Sequence, residues 1–229
     1  MQAKLTYLLV DIGAFLVPFL FSFHPKINFY KVWKSYLPAN LFVTLVFLIW
    51  DIYYTKIGVW GFNDKYILGI KLFNLPVEEV LFFICIPYSS IFTYYCFKLF
   101  YPKVQTYSFG LVSAILVAIL VFVGFFSLSK LYTSVTFILL AILIVYLAFV
   151  KKKEWLSNFY LMFLIILLPF FIVNGILTGT GLSEPVVWYN NSENLGFRIL
   201  TIPIEDIFYG MLLLLLNTFL FESFRKKNA

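Results

Sequence analysis

Four acidic residues stand in two matching places in this chain. The first place is Pro76-Val77-Glu78-Glu79 and the second is Pro203-Ile204-Glu205-Asp206. Each opens a long apolar run. Carboxylates at the edge of a membrane helix are costly, so a duplicated pair reads as a functional site. Neighbours on a helix point about 100° apart, so the two acids of one motif serve different directions. One can face a cavity while the other holds the preceding loop, through Lys71 in the first copy or Arg198 in the second. The helix N-terminus favours a charged carboxylate and burial a protonated one. Opposed environments of that kind let one carboxyl act as acid and another as base. Asp51 and Asn174 end the preceding apolar runs at the same level, placed to hydrogen-bond the acids. Trp60, Phe82, Trp188, Tyr189 and Tyr209 lie close enough in sequence to offer ring faces to a carbocation. Asp11 lies inside the first run and has no acidic counterpart in the fifth.

The elements that must hold these residues are membrane helices. The 229 residues are 62% hydrophobic and 12% charged, about half the ~25% charge of soluble domains. Seven apolar runs, roughly 4–23, 37–53, 77–98, 108–128, 131–150, 156–175 and 203–221, are near the ~20 residues needed to span a bilayer. The expected fold is an all-α polytopic membrane protein. Only Lys4 precedes the first run and no small-residue cleavage pattern follows it, so no cleaved leader is expected. Lys and Arg gather at the ends of the runs, as topology signals do, and nucleic acid is not an expected partner. One side of the membrane collects eleven of them, Lys103 included, against six on the other, which puts the C-terminus in the cytoplasm. A single histidine, His24, cannot build a non-haem iron site, and Cys85 and Cys96 read as small core residues. Dinucleotide, Walker and Asp-rich diphosphate motifs are absent. No metal and no cofactor are expected.

The duplication extends beyond the acids. Asp51-x-x-x-Thr55-x-x-Gly58 matches Asn174-x-x-x-Thr178-x-x-Gly181, Trp60-x-x-Asn63 matches Trp188-x-x-Asn191, and Leu68-Gly69-x-Lys71 matches Leu195-Gly196-x-Arg198. Two three-helix copies are therefore expected, over 1–107 and 131–229, joined by a linker helix within 108–130. A single linker span makes the copies parallel and puts both acidic motifs on one membrane face, around one central cavity.

Trp50-Asp51-Ile52, Gly58-Val59-Trp60-Gly61-Phe62-Asn63, Leu75-Pro76-Val77-Glu78-Glu79, Val173-Asn174-Gly175 and Thr201-Ile202-Pro203-Ile204-Glu205-Asp206 resemble the membrane-integral lycopene cyclases. That family includes heterodimeric bacterial enzymes and the cyclase region of fungal fused enzymes, and this chain resembles the single-chain form over nearly its whole length. The resemblance implies a cofactor-free isomerisation of lycopene taken from the bilayer, at the cell membrane and with no obligatory partner subunit. An acid protonates C2, the cation closes a ring, and a base removes a proton: from C6 for a β ring, from C4 for an ε ring. It also implies Glu78 and Glu205 as the essential pair, supported by Glu79 and Asp206. The alternatives are an ε-type or C50 cyclase or a hydratase on the same scaffold, a proton-coupled transporter, and a pigment-binding protein. A retinal protein is disfavoured, because the seventh run lacks a lysine for a Schiff base.

Overall fold

The computed structural model describes residues 2–102 and 109–227. Lys103 and the expected repeat boundary at 107/108 lie outside them. Seven α-helices follow in order: α1 (Thr6–Phe21), α2 (Trp33–Ile57), α3 (Val77–Phe100), α4 (Gly110–Phe126), α5 (Leu131–Val145), α6 (Leu156–Leu177) and α7 (Ile204–Lys227). A π turn over Tyr146–Val150 prolongs α5. Among the described residues six helical segments are long and apolar enough to cross a membrane, and α4 is a shorter apolar helix of 17 residues. The fold is all-α and polytopic. Two helices outrun their apolar stretches. α2 begins at Trp33 rather than 37, and α7 continues past 221, where buried Glu222 accepts from Lys98 Nζ at 2.7 Å and from Tyr94 Oη at 2.9 Å.

The helices cross between the halves. α1 packs on α3, and α5 packs in the same way on α7; α2 packs mainly on α7, whereas α6 packs on α3. α4 lies against α5. Prolines inside the helices help fix these contacts. A proline has no N–H, so the carbonyl four residues earlier loses its partner, which lipid cannot replace. Pro87 frees the Phe83 carbonyl, which accepts from Asn40 Nδ2 at 3.1 Å and Thr44 Oγ1 at 3.0 Å. Asn40 also donates to Asn217 Oδ1 at 3.2 Å, tying α2 to α7. Pro18 frees the Ala14 carbonyl, which accepts from Ser89 Oγ at 2.9 Å and ties α1 to α3. Phe29, Tyr36, Phe47, Phe83, Phe159 and Phe221 fill the centre.

Six short strands occupy the two long loops. β1 (Trp60–Phe62) pairs antiparallel with β4 (Val187–Tyr189), one strand from each half. β2 (Lys71–Leu72) pairs with β3 (Leu75–Pro76) just before α3, and β5 (Arg198–Ile199) with β6 (Ile202–Pro203) just before α7. These hairpins turn at Phe73 and Leu200, each at φ +57°.

Candidate active site

α2 stops at Gly58, whose φ of +76° favours glycine, and the chain doubles back so that Trp60 returns over the end of the bundle. There β1 and β4 form a lid from both halves. Its bonds repeat in pairs: Asn63 N–H donates to the Val186 carbonyl at 2.9 Å, and Asn190 N–H to the Val59 carbonyl at 2.8 Å. Asn63 Oδ1 accepts from Lys65 N–H, as Asn190 Oδ1 does from Ser192 N–H. The counterpart of Asn63 is therefore Asn190, not Asn191, and Trp188 stands opposite Gly61. Moving one residue along a strand changes the face. Trp188 accordingly points outward, 44% exposed, and Tyr189 points inward.

The two acids of each motif diverge as a helix start requires. Glu78 and Glu205 turn back to the loops: Glu78 Oε1 accepts from Leu68 N–H at 2.6 Å, and Glu205 Oε1 from Leu195 N–H at 2.7 Å and Thr133 Oγ1 at 2.6 Å. Both are fully buried, and neither lines the main cavity. Glu79 and Asp206 do line it. Glu79 Oε2 accepts from Tyr7 Oη at 2.5 Å. Asp206 accepts from Tyr132 Oη at 2.7 Å, Asn174 Nδ2 at 2.7 Å and Tyr189 Oη at 2.9 Å. Burial first, then the adjacent Asp206, pushes the Tyr189 phenol well above its ordinary pKa, which keeps it a donor.

Several expected supports lie elsewhere. Lys71 pairs with Asp64 at 3.1 Å, and Arg198 donates to the Thr201 carbonyl and to Asn191 Oδ1, so the loop bases hold loop atoms rather than the acids. Asn63 Nδ2 donates to Glu184 on the surface at 3.2 Å. Asn174 does bond an acid, whereas Asp51 Oδ1 accepts from Trp60 Nε1 at 2.5 Å and Asp51 Oδ2 has no partner among the described residues.

The cavity has a volume of about 260 Å³. Asp51, Glu79 and Asp206 form its polar end beneath the lid, with Trp60, Tyr132, Tyr189 and Tyr209 around them. From Glu79 to Thr93 its wall follows α3 for about 21 Å at 1.5 Å per residue. Away from the acids the lining is mainly apolar, with Pro18 of α1 and Phe163 and Pro169 of α6 facing Ser89, Ser90 and Thr93 of α3. An acid cluster at the blind end of a greasy slot suits proton transfer to an unsaturated hydrocarbon.

The lycopene cyclase family model matches residues 4–97 and 129–224. The chain belongs to the lycopene cyclase family. Two curated relatives are the bifunctional lycopene cyclase/phytoene synthases of Pyrenophora tritici-repentis (strain Pt-1C-BFP) and Leptosphaeria maculans (strain JN3 / isolate v23.1.3 / race Av1-4-5-6-7-8). The first is 35% identical over 72 residues, covering 31% of this chain and 12% of the relative. The second is 35% identical over 69 residues, covering 30% of this chain and 11% of the relative. The match thus spans about a tenth of each fungal protein. No solved structure matches.

Of the donors to the cavity-facing acids, the sequence pointed to Asn174 but not to Tyr7 or Tyr132. Tyr7 and Tyr132 sit in the first turns of α1 and α5, the equivalent helices of the two halves, and each donates to the cavity-facing acid of its own half. Their signal in the sequence is a matched tyrosine at the start of two otherwise apolar runs.

Proposed function

We propose that this chain is a lycopene β-cyclase whose acid/base chemistry belongs to Glu79 and Asp206, with Asp51 beside them. The observation that carries this reading is that Glu79 and Asp206, one from each half, line a single apolar cavity. In this reading 1–107 and 131–229 are the two copies, with the linker helix between them. The acyclic end of lycopene enters between α1 and α6, where Pro169 is exposed and Ala14, Pro18 and Phe170 are half-buried, and the rest of the polyene stays in lipid. Its end group stops beneath Trp60, Tyr189 and Tyr209, whose ring faces stabilise the cation. The β1–β4 lid keeps out the water that would otherwise quench it. Glu78 and Glu205 position the lid loops.

Because both acids serve one cavity, one end of lycopene is cyclised per visit, and the bicyclic product requires the other end to enter. The C-terminus is placed in the cytoplasm by the charge count, which sets the acidic end toward the outer leaflet. The test is to express the chain alone in lycopene-accumulating cells and chromatograph the pigments. Monocyclic γ-carotene should appear first and β-carotene follow. Unchanged lycopene with the protein inserted would overturn the cyclase reading, and ε rings would overturn the β assignment.

A further inference from the structure

The two halves of the site match in position but not in chemistry. The first half is rich in carboxyls. Glu79 shares the cavity with Asp51, whose Oδ2 is buried without a partner among the described residues. One turn along α1 from Tyr7, Asp11 is fully buried and neither of its oxygens has a partner there; Glu79 and Glu78 are its acidic neighbours. This half therefore gathers several buried carboxyls around a single hydroxyl donor, Tyr7. The second half is rich in donors instead. Asn174 stands where the first half has Asp51, and Thr136 where it has Asp11. Asp206 accepts from three donors, Tyr132, Asn174 and Tyr189. A carboxylate has about four acceptor directions, so one is left to take a proton.

Tyr209 occupies the place that Phe82 holds in the first half, three residues past the acid of its motif. Its ring is fixed edge-on by Trp50 at 5.3 Å, Phe47 at 5.2 Å and Trp60 at 6.1 Å. Its hydroxyl is buried and has no partner among the described residues, and Tyr209 lines the same cavity as Asp51, Glu79 and Asp206.

Resting on the cyclase reading, we propose that Glu79 donates the proton, Asp206 removes it, and the Tyr209 hydroxyl returns it to Glu79 for the next ring. The Glu79 O–H bond breaks and its proton goes to C2. The C1–C6 bond forms, leaving the cation at C5. The C6–H bond then breaks, its electron pair makes the C5=C6 double bond, and the proton goes to Asp206. One proton enters and one leaves, so Glu79 is left bare and Asp206 loaded. Tyr209 resets them by accepting from Asp206 as its own proton passes to Glu79. No oxidant, reductant or co-reactant is needed.

The purified full chain in lipid vesicles containing lycopene, run for many turnovers in D2O, tests this by the mass of the product. An internally returned proton gives fewer than one deuterium per new ring. Tyr209→Phe copies the residue already present at Phe82. It should slow steady-state turnover by about 10²-fold and raise the label to one deuterium per ring. A purely packing role would change the rate without changing the label. Wild-type product already carrying one deuterium per ring would overturn the proposal, with no variant needed. So would Tyr209→Phe with unchanged rate and label. If the wild type makes no cyclised product, the cyclase reading falls and takes this inference with it.

Discussion

Glu79 and Asp206 begin their helices in the same way, lie in the same cavity and each receive a tyrosine hydroxyl, yet their surroundings differ. Glu79 has one such donor, Tyr7, and two further carboxyls of its own half close by, Asp51 and Asp11; Asp206 has three donors, with Glu205 and Glu79 as its acidic neighbours. The matching starts of α3 and α7 bring the two acids to one cavity. Divergence of the residues around them explains how they can do different work. A proton donor must keep its proton until the substrate end is seated, and neighbouring carboxyls favour that by opposing a further negative charge. A proton acceptor facing a cation needs donors that hold its charge in a low-dielectric cavity. The two halves supply these separately.

The sharpest way to break this comparison is to neutralise each acid in turn. Asp206→Asn removes the acceptor and turns it toward three groups that are themselves donors. Glu79→Gln removes the proton source while keeping the shape. Either change should lower cyclisation by about 10²–10⁴-fold, the usual reach of a general acid or base, with the protein still inserted. Product formation per inserted protein in lycopene vesicles measures it. Activity near wild type in both variants would remove these residues from the chemistry. Asp51→Asn comes next in size. It gives the first half the residue that the second half has at Asn174, so the cavity keeps its shape while the halves become more alike. About 10-fold to 10²-fold slower turnover is expected. An unchanged rate would mean that the carboxyl excess of the first half is idle.

Much of this was legible in the sequence. The apolar runs gave the helices because a bilayer leaves backbone groups no other partner. The proline-led acidic motifs marked the site because few other charges lie at that depth. The assignment of roles within each motif was not legible. Adjacent helical residues must diverge, but which of them faces inward depends on where the loop amides of Leu68 and Leu195 fall, and those are set by the hairpins before α3 and α7. Trp188 misled for a related reason. Its spacing to Asn191 copies that of Trp60 to Asn63, but the lid pairs in a register one residue away, and the strand's alternation sends Trp188 outward. Lys71 and Arg198 invited pairing with the acids by charge alone, whereas the hairpins carry them to Asp64 and to Asn191.

The smallest expected effect on chemistry separates the two acids within one motif. Glu78→Gln keeps an oxygen for Leu68 N–H and puts an amide nitrogen where Glu78 Oε2 is now buried without a partner among the described residues. Glu205→Gln does the same beneath Leu195. A buried donor left unsatisfied costs about 1–3 kcal/mol, and that cost falls on the loop that carries the lid. Both variants should therefore unfold at lower temperature in detergent while turning over lycopene within about 10-fold of wild type at low temperature, a far smaller loss than at Glu79 or Asp206. If turnover is instead abolished and the unfolding temperature is unchanged, the acids that hold the loops are the acids that move the protons. The division between a cavity-facing and a loop-facing carboxyl would then have to be drawn the other way round.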